Sequence, residues 1–196
     1  MRNILIFFFA CSISSSLFAQ RTTLNFDVIH NDSSLGTLVA YKTVEGKEVT
    51  YESHTEIAYH LLATINITYD YKVVFKDNIL ESSYVHVVVK GHDKTKAKTV
   101  KYGDKYSFYL DGEFQKGISG LINYSIEKLL FEEPIGVSKV YAESFGEYHK
   151  LQKVGTGKYV KTATNGHKNL YIYKNGELQR SDVDAGVIEF SIVRRK

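Results

Sequence analysis

The 196 residues carry 25 Lys and Arg against 22 Asp and Glu, a formal charge of +3, with 15 tyrosines, one proline, one cysteine and no tryptophan. Charges of both signs are interspersed rather than gathered into a stripe, which excludes the electrostatic footprint of a nucleic-acid binder. The length suits one domain with a sizeable core, and with Cys11 as its only cysteine that core must hold without disulfides.

Met1-Arg2-Asn3 is a basic start, Ile4 to Ala10 a short apolar run, and small residues follow up to Ala19-Gln20. This is the pattern of a secretory signal peptide cut after Ala19. The apolar run is too short to span a bilayer, and no second run long enough follows. Lipidation at Cys11 would leave a signal shorter than the usual ~15–30 residues, so the cut after Ala19 is preferred. The expected organisation is a signal peptide over 1–19 and a single β-rich domain over 20–196. The mature chain is expected to be exported, and periplasmic or attached to the outer envelope.

Leu24 to His30 alternates as a first strand, Asn31 to Ser34 turns it, and Gly36 to Val44 returns. From Val49 to Tyr59, Tyr51, Ser53, Thr55, Ile57 and Tyr59 share one face and Glu52, His54, Glu56 and His60 the other. The chain is organised around the next hairpin. Every odd position from Ile65 to Phe75 is apolar or aromatic (Ile65, Ile67, Tyr69, Tyr71, Val73, Phe75), the period of a half-buried strand. Asp77-Asn78 both tolerate the positive φ of a two-residue turn. That turn is expected to pair Phe75 with Leu80, Val73 with Ser82, Tyr71 with Tyr84 and Tyr69 with His86. In the returning strand Val85, Val87 and Val89 lie opposite in phase to Tyr84, His86 and Val88, so something must cover its second face.

The cover is expected to be an α-helix over Leu121–Phe131, where Ile122, Ile126, Leu129 and Leu130 form one stripe. Ser119 or Asn123 would cap it, and Pro134 and Gly136 would end it. Strands are expected at Thr99–Tyr102, Tyr106–Leu110, Lys139–Phe145, His149–Val154, Tyr159–Ala163, Leu170–Lys174, Glu177–Val183 and Val187–Val193, with Gly- and Asx-rich turns between them. One turn grammar recurs. Phe75-Lys-Asp-Asn-Ile-Leu-Glu-Ser-Ser83 matches Tyr173-Lys-Asn-Gly-Glu-Leu-Gln-Arg-Ser181 in character at each position, and Tyr109-Leu-Asp-Gly-Glu-Phe-Gln115 is a looser copy.

Little here carries catalytic chemistry. The face with Glu52, His54, Glu56 and His60 would reach a zinc ion only if another strand supplied a third ligand, and it reads first as the wet face of an amphipathic strand. No Gly-x-Ser-x-Gly elbow and no cysteine beyond Cys11 supplies a nucleophile. The pairs Glu132-Glu133 and Asp182/Asp184 read as solvated charge, and Gly155-Thr-Gly157 as a turn rather than a phosphate loop. The tyrosines are the unusual feature. Tyr51, Tyr59, Tyr69, Tyr71, Tyr84, Tyr171 and Tyr173 fall on apolar strand faces, where rings with hydroxyls suit a cavity wall and equally fill a large, loosely closed sheet.

The Phe26-Asp-Val start with Gly36 in the second strand, the Asn123-Tyr-Ser segment ending in Phe131-Glu-Glu-Pro134, and the Tyr173-Lys-Asn-Gly-Glu-Leu hairpin occur together. In this combination the chain resembles a family of short, exported, Gram-negative (Bacteroidota-type) proteins known only as a domain of unknown function. More remotely, a bent sheet with a packed helix is similar to the lipoprotein-carrier half-barrels of the bacterial envelope. Neither likeness implies a catalytic residue.

The expected fold is therefore mainly β: a strongly curved antiparallel half-barrel or open barrel of roughly 11–13 strands with one covering helix. The expected function is non-enzymatic, without cofactor or metal. It is binding of a lipid, a lipoprotein chain or another apolar or amphipathic ligand on a tyrosine-lined concave face, with Tyr69, Tyr71, Tyr84 and Val73 as lining and His86 as polar anchor. The alternative is a structural module whose sheet edge or concave face docks an envelope protein partner.

Overall fold

The computed structural model describes residues 19–60, 64–186 and 188–195. The expected signal peptide, apart from Ala19, lies outside the described residues. The strands are β1 Gln20–His30, β2 Ser33–Glu45, β3 Glu48–His60, β4 Thr64–Lys76, β5 Ile79–Val89, β6 His92–Tyr102 and β7 Lys105–Leu110. There follow β8 Glu113–Ser119, β9 Lys139–Ala142, β10 Glu147–Gly155, β11 Lys158–Thr162, β12 Lys168–Lys174, β13 Glu177–Asp184 and β14 Glu189–Arg194. They form one 14-stranded antiparallel sheet in the order β8-β7-β6-β5-β4-β3-β2-β1-β14-β13-β12-β11-β10-β9. The expected β class and curved, unclosed antiparallel form are what is observed, with slightly more strands.

Local chemistry explains the hairpins. Asn31-Asp32 and Asp77-Asn78 adopt φ of 47°, 60° and 49°, 62°, the left-handed pair that lets a two-residue turn match the strands' right-handed twist. Gly36 in β2 permits a close crossing, because a Cβ there would lie 1.8 Å from the Glu56 carbonyl oxygen. The sheet curls until its last strands reach β6 and β7. The Thr99 hydroxyl of β6 hydrogen bonds the Tyr141 hydroxyl of β9 at 2.7 Å. The loop after β9 sets Gly146 against Phe108 of β7, where a Cβ would collide with the ring at 2.3 Å.

The hairpin β4–β5 departs from the expected register. Phe75 pairs with Leu80 as anticipated, but Val74 pairs with Ser82, Val73 with Ser83, Tyr71 with Val85 and Tyr69 with Val87. Glu81 is the extra residue of a β-bulge, and one extra residue moves every later side chain of β5 to the other face. Leu80 therefore points inward with Ser83, Val85 and Val87, all buried, while Tyr84 is 42% exposed. The other two copies of the turn grammar carry the same bulge. Tyr173 pairs with Leu178 and Ile172 with Arg180, leaving Gln179 extra. Tyr109 pairs with Phe114 and Phe108 with Lys116, leaving Gln115 extra.

The expected α-helix is absent. Residues 121–125 form no helix, Glu127–Leu130 makes a single 3-10 turn that starts from Ile126, and the chain leaves through Pro134 and Gly136. The stripe that looked helical is nevertheless buried: Ile122 and Leu129 are fully enclosed and Leu130 nearly so. The segment is a plug inside the curled sheet, and its backbone is satisfied from the walls instead of by helical bonds. The Leu80 N–H donates to the Ile122 carbonyl (2.8 Å), the Tyr141 N–H to the Tyr124 carbonyl and the Ile126 N–H to the Tyr141 carbonyl (both 2.9 Å). An extended chain with wall partners on two sides needs no helix, and periodic apolar residues do not distinguish a one-sided stripe from enclosure all round.

Most tyrosine hydroxyls in this plugged end are spoken for. Tyr173 donates to the Leu129 carbonyl at 2.6 Å, Tyr124 to the Glu132 carbonyl at 2.7 Å, and Tyr159 to Glu133 Oε1 at 2.9 Å. Glu132 Oε1 accepts from Tyr51 at 2.6 Å and from Lys42 at 2.7 Å. Glu132 and Glu133 are thus plug anchors rather than the solvated charge expected. Around them Tyr51, Val73, Phe75, Leu80, Tyr106, Ile122 and Tyr141 form one apolar cluster. Leu24, Phe26, Leu38, Leu129, Leu151 and Leu178 belong to a second.

Candidate functional site

The hairpins alternate between two ends of the curled sheet. The turns at 77–78 and 175–176 and the plug lie at one end. The loops after β9, β11 and β13 lie at the other. The plug fills only its own end. Above it a cavity of about 260 Å³ remains, with Ile126, Glu127 and Leu130 of the plug as floor. Leu38 of β2, Ile57 of β3, Tyr69 and Tyr71 of β4, and Tyr171 of β12 stand in its walls. Phe145, Ala185 and Phe190, from the loops and strand start at the far end, form its rim.

Of the five residues expected to bind ligand, the structure brings Tyr69 and Tyr71 into this wall. Val73, two residues further along the same face, lies below the floor in the core with Tyr51 and Phe75. Tyr84 and His86 are outside. The bulge at Glu81 turns both to the outer face, where His86 Nε2 meets Asp93 Oδ1 at 2.7 Å and the two rings lie 6.4 Å apart. His86 is therefore no anchor for a ligand held inside.

The polar groups inside the cavity are ones the strand pattern did not single out. Glu127 is 4% exposed, Glu143 1% and Lys161 8%, and all three line the cavity. The Glu127 backbone N–H donates to Glu143 Oε1 at 3.1 Å. Glu127 Oε1 and Glu143 Oε2 have no hydrogen-bond partner among the described residues. Burial, and then the charge of Glu143, push the Glu127 carboxyl up to about 8, against a smaller opposing pull from the Ser53 hydroxyl. Burial also raises Glu143, partly offset by backbone N–H groups of Glu127, Glu143 and Ile126 and by the Ser125 hydroxyl. Lys161 is pushed down to about 8 by burial, with Glu143 pulling the other way. Desolvation thus dominates all three groups, as expected where a charge faces apolar walls. The Tyr71 and Ser144 hydroxyls share a hydrogen bond of 2.8 Å at the edge of this group.

A signal for these residues was present. Lys161 is in phase with inward-facing Tyr159, and Leu151 opposite it is also inward. Glu143 directly follows the buried run Val140-Tyr141-Ala142, and Glu127 follows Ile126 within the plug stripe. A charged residue at an inward phase position is the cue, because a lone buried charge is costly and is kept for a reason.

Of the Glu52/His54/Glu56/His60 face of β3, Glu52, His54 and Glu56 point outward, and the His60 side chain lies outside the described residues. His54 Nδ1 contacts Asp70 Oδ1 at 2.5 Å and Nε2 contacts Glu56 Oε1 at 3.1 Å. Asp70 first and Glu56 second raise the imidazole pKa, which favours the imidazolium, a form with no lone pair for a metal. No group of three or more His, Cys, Asp or Glu side chains converges at metal-ligand spacing among the described residues.

The class defined by these features is a curled, barrel-like antiparallel sheet, plugged at one end, with a polar-floored cavity at the other. The chain belongs to the family described as a domain of unknown function (DUF6134), whose model matches residues 26–195. It is similar in fold to a crystal structure titled as a β-barrel-like protein of domain of unknown function DUF1849 from Brucella abortus. The TM-score is 0.60 at 10% identity, with 92% of this chain and 97% of that chain covered. At that identity the likeness concerns the fold alone. Comparison with curated proteins returns no match. No helix among the described residues is long and apolar enough to cross a membrane.

Proposed function

We infer that this chain is an exported envelope protein that binds an apolar or amphipathic ligand, without turnover, in the cavity above the plug. The observation that carries the reading is the unfilled end of the curled sheet. The plug buries Ile122 and Leu129 completely at one end, while about 260 Å³ is left open beside Ile57, Tyr69, Tyr71 and Tyr171 at the other. That volume is slightly below the ~300–1,000 Å³ of drug-sized pockets and suits a slender hydrocarbon chain better than a bulky ring system. Burial of that chain against the aromatic and aliphatic walls would supply most of the affinity. The exported, periplasmic or outer-envelope assignment rests on the pattern of Met1 to Ala19.

The test is native mass spectrometry of the chain purified from a periplasm without detergent. A stoichiometric small-molecule adduct released by heating is expected. A clean apo mass under gentle conditions, together with no uptake of added lipid, would sink the reading.

One observation favours a second reading, docking of a protein partner. Strand β8 ends the sheet, pairs only with β7, and exposes Phe114 at 60%. An unpaired edge with an exposed ring can accept a further strand. Cross-linking in intact cells, with Phe114→Lys as control, separates this from ligand carriage.

A further inference from the structure

The charged inventory of the cavity defines the head group of its ligand. Among the described residues, Glu127, Glu143 and Lys161 are the only ionisable acids and bases in its lining besides the tyrosines Tyr69, Tyr71 and Tyr171. Fully ionised, they sum to one negative charge in a compartment with little water, and an uncompensated buried charge is strongly unfavourable. A single positive charge from outside restores the balance. Two carboxyl oxygens, Glu127 Oε1 and Glu143 Oε2, stand without donors. Both belong to side chains at least nine-tenths buried, so bulk water does not serve them. A primary ammonium brings one positive charge and three N–H donors. A quaternary ammonium brings charge but no donor, and a hard divalent cation asks for about six oxygens.

On the carrier reading given above, we propose that the cavity takes an amphipathic primary amine. Its ammonium lies between Glu127 Oε1 and Glu143 Oε2, and its hydrocarbon part lies along Ile57, Tyr69, Tyr71 and Phe190. In the empty cavity a proton on Glu127 takes the place of the ammonium, consistent with burial raising that carboxyl. Binding then exchanges proton for amine. The groups facing Glu127 are Glu143 from the loop after β9, Lys161 from β11, Tyr69 and Tyr71 from β4 and Tyr171 from β12. His149 of β10 is held below its usual range by its own burial first and then by the Lys161 charge, with Glu147 pulling the other way. Burial holds the three tyrosines above theirs. Around neutrality the exchange is therefore confined to the two glutamates and Lys161, and loss of the Lys161 proton favours the amine as well.

Isothermal titration calorimetry of the purified exported chain with octylamine, octanol and octanoate tests this, in two buffers of different ionisation enthalpy. The chain lengths are matched, so the walls contribute alike and only the head group differs. Octylamine is expected to bind at least ~10-fold more tightly than octanol, a preference of about 1.4 kcal/mol, and to release about one proton per molecule at neutral pH. Glu127→Gln, close in shape to the protonated acid, should lose the proton release and most of the amine preference. Equal affinity for all three probes, or a preference for octanoate, overturns the amine assignment and leaves the carrier reading standing. Failure of all three to bind defeats the carrier reading itself.

Discussion

The two ends of the curled sheet are built from the same kinds of strand and the same abundance of tyrosine, yet they end up in opposite states. At the plugged end the core of the plug, Ile122 and Leu129, is fully buried, and tyrosines 51, 124, 159 and 173 each donate to an acceptor on the plug. Lys128 completes that end, donating to Asn78 Oδ1 at 2.8 Å with its ammonium 4.6 Å from the Phe75 ring centroid. At the open end two carboxyls and an amine are buried with acceptors to spare. The first arrangement lowers the free energy of the fold, and the second raises it. A fold that tolerates such cost at one place holds that place for something other than stability.

Mutations at the two ends should separate these roles. Leu129→Ala, at a fully buried plug position, should cost about 2–5 kcal/mol in urea unfolding. Phe190→Ala, at the half-buried cavity rim, should cost under about 1.5 kcal/mol and reduce ligand affinity. Equal losses at the two sites would mean that the open end is as tightly packed as the plugged one.

The pH dependence of stability offers the next largest effect. Glu127 is held at about 8 in the fold against an ordinary 4.5, so the folded chain binds this proton more tightly than the unfolded chain. Its contribution is fully present below about pH 4.5 and is lost as the pH rises to about 8. Lys161 is held at about 8 against 10.5, so the folded chain binds that proton more weakly, and stability returns as the pH rises from about 8 to 10.5. The denaturation midpoint should therefore pass through a minimum near pH 8. Glu127→Gln should remove most of the falling limb, about 5 kcal/mol, and Lys161→Met the rising one, about 3 kcal/mol. A wild-type curve parallel to that of Glu127→Gln between pH 5 and 8 would contradict the buried-acid assignment.

The concave face can be checked against the convex one. Tyr71→Asp should abolish binding of the native adduct or of octylamine, whereas Tyr84→Asp, on the outer face, should leave affinity within about 2-fold. The reverse result would restore the register without the bulge at Glu81. Smallest of all, Tyr173→Phe removes only the hydroxyl bond to the Leu129 carbonyl and should cost about 0.5–1.5 kcal/mol, read as a small shift in the urea midpoint.

Particular residues show how legible the molecule was. The alternation from Ile65 to Phe75 and the Asp77-Asn78 turn led correctly to a long hairpin in a curved sheet. The facing of Tyr84 and His86 was lost because pairing was counted as if no residue were extra. The cue lay in the recurring turn grammar. A polar residue follows the Leu or Phe that pairs beside the turn each time, as Glu81, Gln115 and Gln179, and each is the extra residue of a bulge. Gln115 and Gln179 even bond back to the turn, through the Glu113 carbonyl at 3.3 Å and the Glu177 carbonyl at 3.1 Å. The plug was misread for a different reason. Ile122, Ile126, Leu129 and Leu130 have helical spacing, but they sit inside the curled sheet, where Ile122 and Leu129 are fully enclosed, so spacing carried no information about backbone shape.

By itself the sequence determined the strands except β8, most turns, the antiparallel class and the tyrosine-rich inner face. These depend on neighbours one to four residues apart: side-chain alternation and residues that accept positive φ. Only the tertiary structure decided that 121–138 is a plug and that β9 folds back to β6. It also decided that Glu127, Glu143 and Lys161, distant along the chain, meet in one small cavity. Those outcomes depend on how far a 14-stranded sheet curls, a sum of twist and bulges over the whole chain that no local pattern contains.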